Sequence, residues 1–184
     1  MLKMSLKLPE MPSTVNGSCA NGDATTPSYF PWFMDHVKTS LIKKSFSPLY
    51  FTVGLVEEVA ELSEALNSLS RSEENITSEV GDVCWYAYGL CQALEDVTPV
   101  PGDDDGDTDL LGAVGRLCGS IKKWSRGDQD WAVFRPRVQG HVSQLLGVVT
   151  RVSPVSLESA MRSNIEKIRS RRERGVVRGD GSNR

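Results

Sequence analysis

The segment VEEVAELSEALNSLSRSEENITSEVGDVCWYAYGL, residues 56–90, decides the fold because it contains two helix-like runs in succession. In the first run, apolar residues recur at intervals of three and four, which places them on one face of an α-helix. This predicted stripe comprises Leu55, Val56, Val59, Leu62, Leu66 and Leu69. The second run, Val80 to Leu94, is apolar or aromatic except for Asp82, Gln92 and its glycines, which is typical of a helix buried on most of its circumference.

Both runs are preceded by helix start signals. Ser47 and Pro48 combine an N-cap with proline at the first helical position, so we expect the first helix to begin there and to reach about Leu69. Ser72 is followed by two glutamates in the first turn, where the helix dipole favours acids, so we expect the second helix to begin there and to reach about Glu95.

The rest of the chain repeats the same helical spacing. Three further apolar stripes run through Leu110, Val114, Leu117, Ile121 and Trp124, then Phe134, Val138, Val142, Leu145 and Val149, and finally Leu157, Met161, Ile165 and Ile168. Prolines separate these stretches into helix-sized pieces, and we expect Pro136 to lie between helices because proline inside a helix costs about 3 kcal/mol. No alternating strand pattern is found, so the sequence predicts an all-α helical bundle.

The chain has 184 residues, of which 39% are hydrophobic, enough for one core. We expect a flexible leader over residues 1–28, because this polar stretch cannot repay its ordering entropy. A single domain is predicted over residues 29–175, followed by a C-terminal tail over residues 176–184. The acidic stretch PVPGDDDGDTD then links the first helix pair to the remaining helices.

Charge and composition exclude several classes of protein. The net charge is −3, so the chain as a whole has no electrostatic footprint for nucleic acid or an anionic membrane. No stretch approaches the roughly 18 apolar residues of a membrane span. The four cysteines form no Cys-x-x-Cys pair and are best explained as core thiols in a reducing compartment. We therefore expect a soluble, cytoplasmic protein.

Acidic residues on the first helix form a small group. Glu57, Glu58 and Glu61 fall within an arc of about 100° opposite the apolar stripe. A solvated surface face explains such acids in most helices. The pairs at three and four residues nevertheless repel one another by about 0.2–0.5 kcal/mol each, and no lysine is placed to relieve them.

The second helix carries two acids in less favourable surroundings. Glu79 and Asp82 begin the apolar run, two turns past the predicted helix start and too deep for the dipole to stabilise them. A buried carboxylate must be neutralised, paired or bound to a metal, and residues 80–114 contain no lysine or arginine. The simplest joint solution is an antiparallel helix pair whose facing acids share divalent cations. Carboxylate donors without histidine or thiolate suit Mg²⁺, or Mn²⁺, and this preference in turn predicts a polyphosphate substrate.

The motif EEVAE, separated by seventeen residues from EVGD, resembles the EExxE…ExxD signature of the MazG-like superfamily of all-α nucleoside triphosphate pyrophosphohydrolases. The ending SNIEKIRSRRERG is similar to the Asn-x-x-Lys…Arg-x-x-Arg-Gly block of its MazG-like members. The resemblance covers roughly residues 40–96 and 155–184. The helical stretch over residues 101–153 departs from compact members of the family and is interpreted as an insertion.

The resemblance implies Mg²⁺-dependent hydrolysis of a nucleoside triphosphate to the monophosphate and pyrophosphate. By position it implies the metal ligands Glu58, Glu61, Glu79 and Asp82, with Glu57 as a further catalytic acid that ligates or orients a water. It implies phosphate contacts from Asn164 and Lys167, and with weaker support from Arg171. Lys123, beside Trp124, is a further candidate for a phosphate contact from a neighbouring helix.

Other readings remain open at the level of sequence. A metal-binding helix pair leaves apolar faces that need partners, which favours a homodimer or homotetramer. A noncatalytic helical protein that binds nucleotide, or serves as an interaction module with the same fold, is the alternative to the enzyme. Nucleic-acid binding by the arginine-rich C-terminal helix is the third possibility, and we regard it as the least favoured.

Overall fold

A computed structural model describes residues 31–40, 47–94, 99–102 and 106–175. These residues form six helices and no strand, which confirms the all-α prediction. The helices are α1 (Pro31–Ser40), α2 (Pro48–Asn67), α3 (Glu73–Ala93), α4 (Leu110–Ser125), α5 (Trp131–Val152) and α6 (Leu157–Glu173). The predicted leader, residues 1–28, and the predicted tail, residues 176–184, lie outside the described residues. None of the described helices is long and apolar enough to cross a membrane.

The predicted starts of α2 and α3 are confirmed. The hydroxyl oxygen of Ser47 accepts a hydrogen bond from the Tyr50 amide at 3.3 Å, and that of Ser72 accepts one from the Asn75 amide at 3.3 Å. Side-chain caps of this kind satisfy amides that have no partner within the helix.

The predicted end of α2 was two residues too long. The helix ends at Asn67, and the Arg71 Nε donates a hydrogen bond to the Leu66 carbonyl oxygen at 2.8 Å across the following turn. Leu69 therefore lies in the turn, fully exposed, and Val56 is 39% exposed. These two members of the predicted apolar stripe are therefore not buried, because the buried face of α2 is narrower than the apolar face of its sequence.

The prediction that Pro136 separates two helices was also wrong. Pro136 lies inside α5, which starts earlier, at Trp131, after the N-cap Asp130. The side chain of Asp130 accepts a hydrogen bond from the Val133 amide at 2.9 Å, which fixes the start of the helix. Pro136 is in the second turn and exposed, so water can reach the carbonyl that would otherwise have received its missing hydrogen bond.

Helix α3 is the centre of the bundle. It packs against α1, α2, α5 and α6, while α4 packs against α2 and α5. Its buried residues include Val80, Val83, Cys84, Ala87, Tyr88, Leu90 and Cys91. This burial confirms the prediction of a helix enclosed on most of its circumference, and it shows Cys84 and Cys91 to be core thiols.

A close approach between α3 and α6 depends on Gly81. A Cβ atom at this position would lie 2.8 Å from the carbonyl oxygen of Ala160 and 3.1 Å from the Cβ of Asn164. Distances below 3.0 Å to backbone are not tolerated without movement, so any larger residue would push α6 away. The glycine that precedes Asp82 therefore sets how near α6 lies to the acidic motif.

Candidate metal and phosphate site

Three glutamates from the two motif helices converge on one point. Glu58 and Glu61 on α2 and Glu79 on α3 each offer one carboxylate oxygen, and these oxygens all lie within 4.8 Å of one another. Glu79 is only 5% exposed, Glu58 is half-buried and Glu61 is exposed. The predicted antiparallel pairing of the two helices therefore brings these three of the expected metal ligands together.

Burial and mutual repulsion raise the pKa values of two of these carboxyl groups. Burial, followed by the charges of Asp82, Glu61 and Glu79, raises the pKa of Glu58 to about 8. Burial, followed by the charges of Asp82 and Glu61, raises the pKa of Glu79 to about 7. The charge of Lys167 opposes both shifts but does not cancel them. With all three carboxyl groups ionised, the cluster would hold more negative charge than its protein surroundings neutralise.

This donor set fits a divalent cation. Carboxylate oxygens from three side chains are the ligands that Mg²⁺ and Mn²⁺ prefer, and the group includes no thiolate or imidazole that would favour zinc. A cation there would also offset the repulsion that raises the pKa values of Glu58 and Glu79. Glu58, Glu61 and Glu79 could therefore hold a metal ion.

Asp82 lies beside this cluster but is engaged by α6. One of its carboxylate oxygens accepts a hydrogen bond from the Asn164 Nδ2 at 2.7 Å, and the other accepts one from the Lys167 Nζ. Lys167 also donates to the Ser78 hydroxyl oxygen at 3.1 Å. Lys167 on α6 is thus the positively charged partner that is lacking among the sequence neighbours of Asp82.

The helix pair α2 and α3 matches a known protein family. The family model described as the MazG nucleotide pyrophosphohydrolase domain matches residues 46–103. Residues 46–103 therefore resemble a MazG domain. The chain is 28% identical over 107 residues to the Gene 37 protein of Mycobacterium phage L5, and the alignment covers 50% of this chain and 93% of the phage protein. No solved structure matches the chain.

The MazG-like match covers the metal cluster but not the residues that hold Asp82. Residues 46–103 include α2 and α3 and hence all four expected metal ligands. Asn164 and Lys167 lie on α6, outside the matched segment, and reach Asp82 across more than eighty positions of sequence. The resemblance of the SNIEKIRSRRERG stretch to a MazG-like ending had singled out these two residues, and the structure places them against the acidic motif.

The structure does not bring the other predicted residues into the glutamate cluster. Glu57 is exposed on α2, Arg171 is half-buried on α6, and Lys123 is exposed near the end of α4. Neither Lys123 nor Arg171 is among the charges that shift the pKa of Glu58 or Glu79. Their expected roles at the phosphates therefore stay predictions.

Two residues near Asp82 were missed at the level of sequence. Ser78 accepts a hydrogen bond from Lys167, as described above, and its only signal was its position next to Glu79. His36 on α1 is 2% exposed and lies beside the Asn164 side chain. Burial lowers the pKa of His36 to about 4, so the imidazole is neutral at pH 7. An isolated histidine in a short apolar helix carries no pattern that would reveal this contact.

Two aromatic residues, Tyr50 on α2 and Tyr86 on α3, lie near the acidic residues of α2. Tyr86 is half-buried, and its ring occupies the space over Gly54, where a Cβ would lie 2.1 Å from a ring carbon. Burial, then Tyr50, then the charges of Glu58 and Glu57 raise the pKa of the Tyr86 hydroxyl. The rings of Tyr50 and Tyr86 have centroids 6.2 Å apart. A partly exposed aromatic pair therefore lies close enough to Glu58 and Glu57 to feel their charges.

Proposed function

We propose that this chain is a Mg²⁺-dependent nucleoside triphosphate pyrophosphohydrolase, with Mn²⁺ as an alternative metal. It converts a ribo- or deoxyribonucleoside triphosphate and water to the nucleoside monophosphate and pyrophosphate. The observation that carries this proposal is the convergence of Glu58, Glu61 and Glu79 within 4.8 Å on a MazG-like helix pair. The raised pKa values of Glu58 and Glu79 also support it, because surface acids that face solvent do not show such large shifts.

In this proposal Glu58, Glu61, Glu79 and Asp82 hold the metal. When bound, Mg²⁺ offsets the charge of the phosphates and lowers the pKa of a water molecule. Glu57, exposed beside the cluster, orients the attacking water. A carboxylate of the cluster accepts a proton from that water while the water oxygen bonds to phosphorus. The α–β phosphoanhydride bond breaks at the same time, and its electron pair leaves with the departing phosphate oxygen.

Residues of α6 bind the phosphates in the same proposal. Lys167 and Asn164 lie against Asp82, so a triphosphate at the metal centre would be within their reach. Arg171 follows Lys167 by one turn on the same helix and extends this basic face. Lys123 on α4 completes the proposed set of phosphate contacts.

We propose further that the enzyme is a cytoplasmic homodimer or homotetramer. Support comes from α2, where Leu49, Val53 and Val56 are 52%, 61% and 39% exposed and follow one another at helical spacing. A second copy of the chain is the occupant that such a face most simply accommodates. The expected partners are thus the nucleotide and further copies of the chain, with no role for nucleic acid or a membrane.

Product analysis tests the proposed reaction. Purified protein with Mg²⁺ and a panel of nucleoside triphosphates should release pyrophosphate and no orthophosphate. Glu61→Gln and Asp82→Asn should each lower kcat by about a hundredfold or more, since each removes a ligand of the metal. Glu64→Gln is the matched control, because Glu64 is exposed on the same helix and outside the cluster.

Orthophosphate as the sole product would overturn the proposed chemistry. Calorimetric binding of Mg²⁺ and nucleotide without any turnover would instead support the noncatalytic nucleotide-binding alternative. Equal loss of activity in Glu64→Gln and Glu61→Gln would show that the effect does not arise at the cluster.

A further inference from the structure

We propose that the phosphates of the substrate release Asp82 to the metal, so that the metal ion and the triphosphate bind cooperatively. In this inference Asn164 and Lys167 are positioning residues that turn Asp82 away from the metal centre until phosphate oxygens replace its carboxylate as their acceptors. The inference rests on the proposed function, because it concerns the order in which that site is assembled.

The first support is that both oxygens of the Asp82 carboxylate accept hydrogen bonds from α6. The Asn164 Nδ2 lies 2.7 Å from one of its oxygens and the Lys167 Nζ contacts the other, so α6 holds both atoms that would otherwise face a cation. The side chains of Lys167 and Asp82 are only 21% and 22% exposed, so little water screens their attraction. Asp82 is accordingly held by α6 and is not a free ligand.

The second support is the position of Asp82 relative to the glutamates. Its oxygens do not belong to the group of three that lies within 4.8 Å. After burial, however, its charge has the largest effect on the pKa values of both Glu58 and Glu79. Asp82 is therefore a charged neighbour of the cluster whose oxygens bond to α6, and the inference requires its side chain to turn towards a cation held by the glutamates.

The third support is competition for the same donors. Lys167 has a single ammonium group, which Asp82 and Ser78 share. A triphosphate presents several charged oxygens and attracts this ammonium and the Asn164 amide in the same way as the carboxylate does. Once these donors turn to phosphate, Asp82 is a part-buried carboxylate without a cation, and a divalent ion is the group that restores its partner.

Such an exchange makes the two ligands dependent on each other. Triphosphate binding raises the affinity for the metal, because a fourth carboxylate becomes available. By reciprocity, the metal raises the affinity for triphosphate by the same factor. Lys167 and Asp82 could instead form an ordinary ion pair that only joins α6 to α3. Loss of Lys167 would then have the same effect on the metal affinity whether or not the Asp82 carboxylate is present.

Mn²⁺ affinity in the absence of nucleotide, measured by electron paramagnetic resonance, tests the first step. Lys167→Met should bind Mn²⁺ about tenfold more tightly than the wild type, the size expected for one charge-assisted hydrogen bond. In the Asp82→Asn background the same substitution should change the affinity by less than about twofold. This double-mutant cycle separates release of Asp82 from the general loss of one positive charge.

Arg169→Met is the matched control for charge. Arg169 lies two residues from Lys167 on α6 and pairs with the exposed Glu166 at 3.0 Å. Its loss should leave Mn²⁺ affinity within about twofold of the wild type, because surface ion pairs are weak and screened. Thermal melts of all variants verify that they are folded.

A second measurement tests the coupling itself. A nonhydrolysable triphosphate analogue at saturation should raise Mn²⁺ affinity about tenfold more in the wild type than in Lys167→Met. Chelation of Mn²⁺ by the analogue is identical for both proteins and cancels in this comparison.

The outcomes separate this inference from the proposed function. If Lys167→Met binds Mn²⁺ with unchanged or weaker affinity, or gains equally in the Asp82→Asn background, the release of Asp82 is refuted while pyrophosphate production stands. An equal effect of the analogue on both proteins also refutes it. If the wild type binds no Mn²⁺ and releases no pyrophosphate, the proposed function itself fails.

Discussion

At the scale of single residues, Glu79 shows why the acidic motif is informative. A carboxylate at the start of an apolar run is costly unless it is neutralised, paired or bound to a metal. Glu79 is 5% exposed and shares its surroundings with Glu58 and Glu61, and its pKa is raised to about 7. Glu79 is thus buried, as expected from sequence, and after burial it is Asp82 on the same helix and then Glu61 on the facing helix that raise its pKa.

Metal affinity should depend strongly on pH. With the pKa of Glu58 near 8 and that of Glu79 near 7, both carboxyl groups are largely protonated at pH 6 in the metal-free protein. Metal binding requires the carboxylates and releases their protons. Mn²⁺ affinity measured by calorimetry should therefore rise at least about tenfold from pH 6 to pH 8. Proton release should be detectable in buffers of different ionisation enthalpy, and an affinity independent of pH contradicts the shared site.

The same shifts predict an unusual pH dependence of stability. The folded-state pKa values of Glu58 and Glu79 exceed their ordinary value of 4.5, so the folded protein binds protons that the unfolded chain has released. Without metal, the free energy of unfolding contributed by these groups is full below about pH 4.5 and is lost as pH rises to about 8. Urea unfolding in chelator should show this decline, and Glu58→Gln should reduce it.

At the scale of elements, the contact between α3 and α6 assembles the site. Sequence alone places Asn164 and Lys167 three residues apart on one face of a helix. It does not say which helix that face meets. Gly81 makes α3 the partner of that face, because a glycine without a side chain lets α6 come close enough for Asn164 to contact Asp82. A glycine inside a buried helix is costly in propensity, and this cost is the one local sign that a close contact was required.

Substitution of Gly81 should separate these two helices. Gly81→Ala places a Cβ 2.8 Å from the Ala160 carbonyl oxygen, so we expect a loss of about 1–3 kcal/mol in the free energy of unfolding. KM for the triphosphate should also increase, because Asn164 and Lys167 move with α6.

Gly115→Ala provides the matched control within another helix. A Cβ at Gly115 on α4 meets nothing within 4 Å. Alanine there should raise the free energy of unfolding by about 0.5–1 kcal/mol through helix propensity, with KM unchanged. Urea unfolding and steady-state kinetics measure both effects, and equal results for the two variants would rule out the proposed role of the α3–α6 contact.

At the scale of the whole molecule, α3 links the acidic cluster to most of the core. It contacts α1, α2, α5 and α6, and its buried side chains form the middle of the hydrophobic core. Helices α4 and α5, which occupy most of the predicted insertion at residues 101–153, pack on α2 and α3 and on each other. Binding at the cluster is therefore coupled to the stability of the whole bundle and not to that of one helix pair.

Metal should accordingly stabilise the whole protein. At a free concentration a hundred times its Kd, Mg²⁺ should add about 2.7 kcal/mol to the free energy of unfolding. For a chain of this length, that corresponds to a rise of about 5–10 °C in Tm. Calorimetric melts should show this rise in the wild type and in Glu64→Gln, and it should be absent in Glu61→Gln. A similar rise in Glu61→Gln would place metal binding elsewhere.

Much of the fold could be predicted because it depends on local patterns. Helical spacing of apolar residues and the caps at Ser47 and Ser72 predicted the helices α2 to α6, and the absence of alternating stretches predicted an all-α fold. Helix α1 was not predicted. The predictions for Leu69 and Pro136 failed because solvent exposure, which the sequence does not show, determined where each residue could lie. A leucine can lie in an exposed turn, and a proline is tolerated in a helix whose open carbonyl faces water.

The sequence by itself determined the helices, their apolar faces and the presence of acids that cannot remain buried without compensation. These properties follow from short-range spacing and from the cost of burying charge. Only the tertiary structure decided which charged side chains lie together. Glu58, Glu61 and Glu79 became one cluster, and Asp82 was assigned to Asn164 and Lys167. The physical reason is that electrostatic partners are chosen by distance in space, and the packing of α6 against Gly81 fixes that distance.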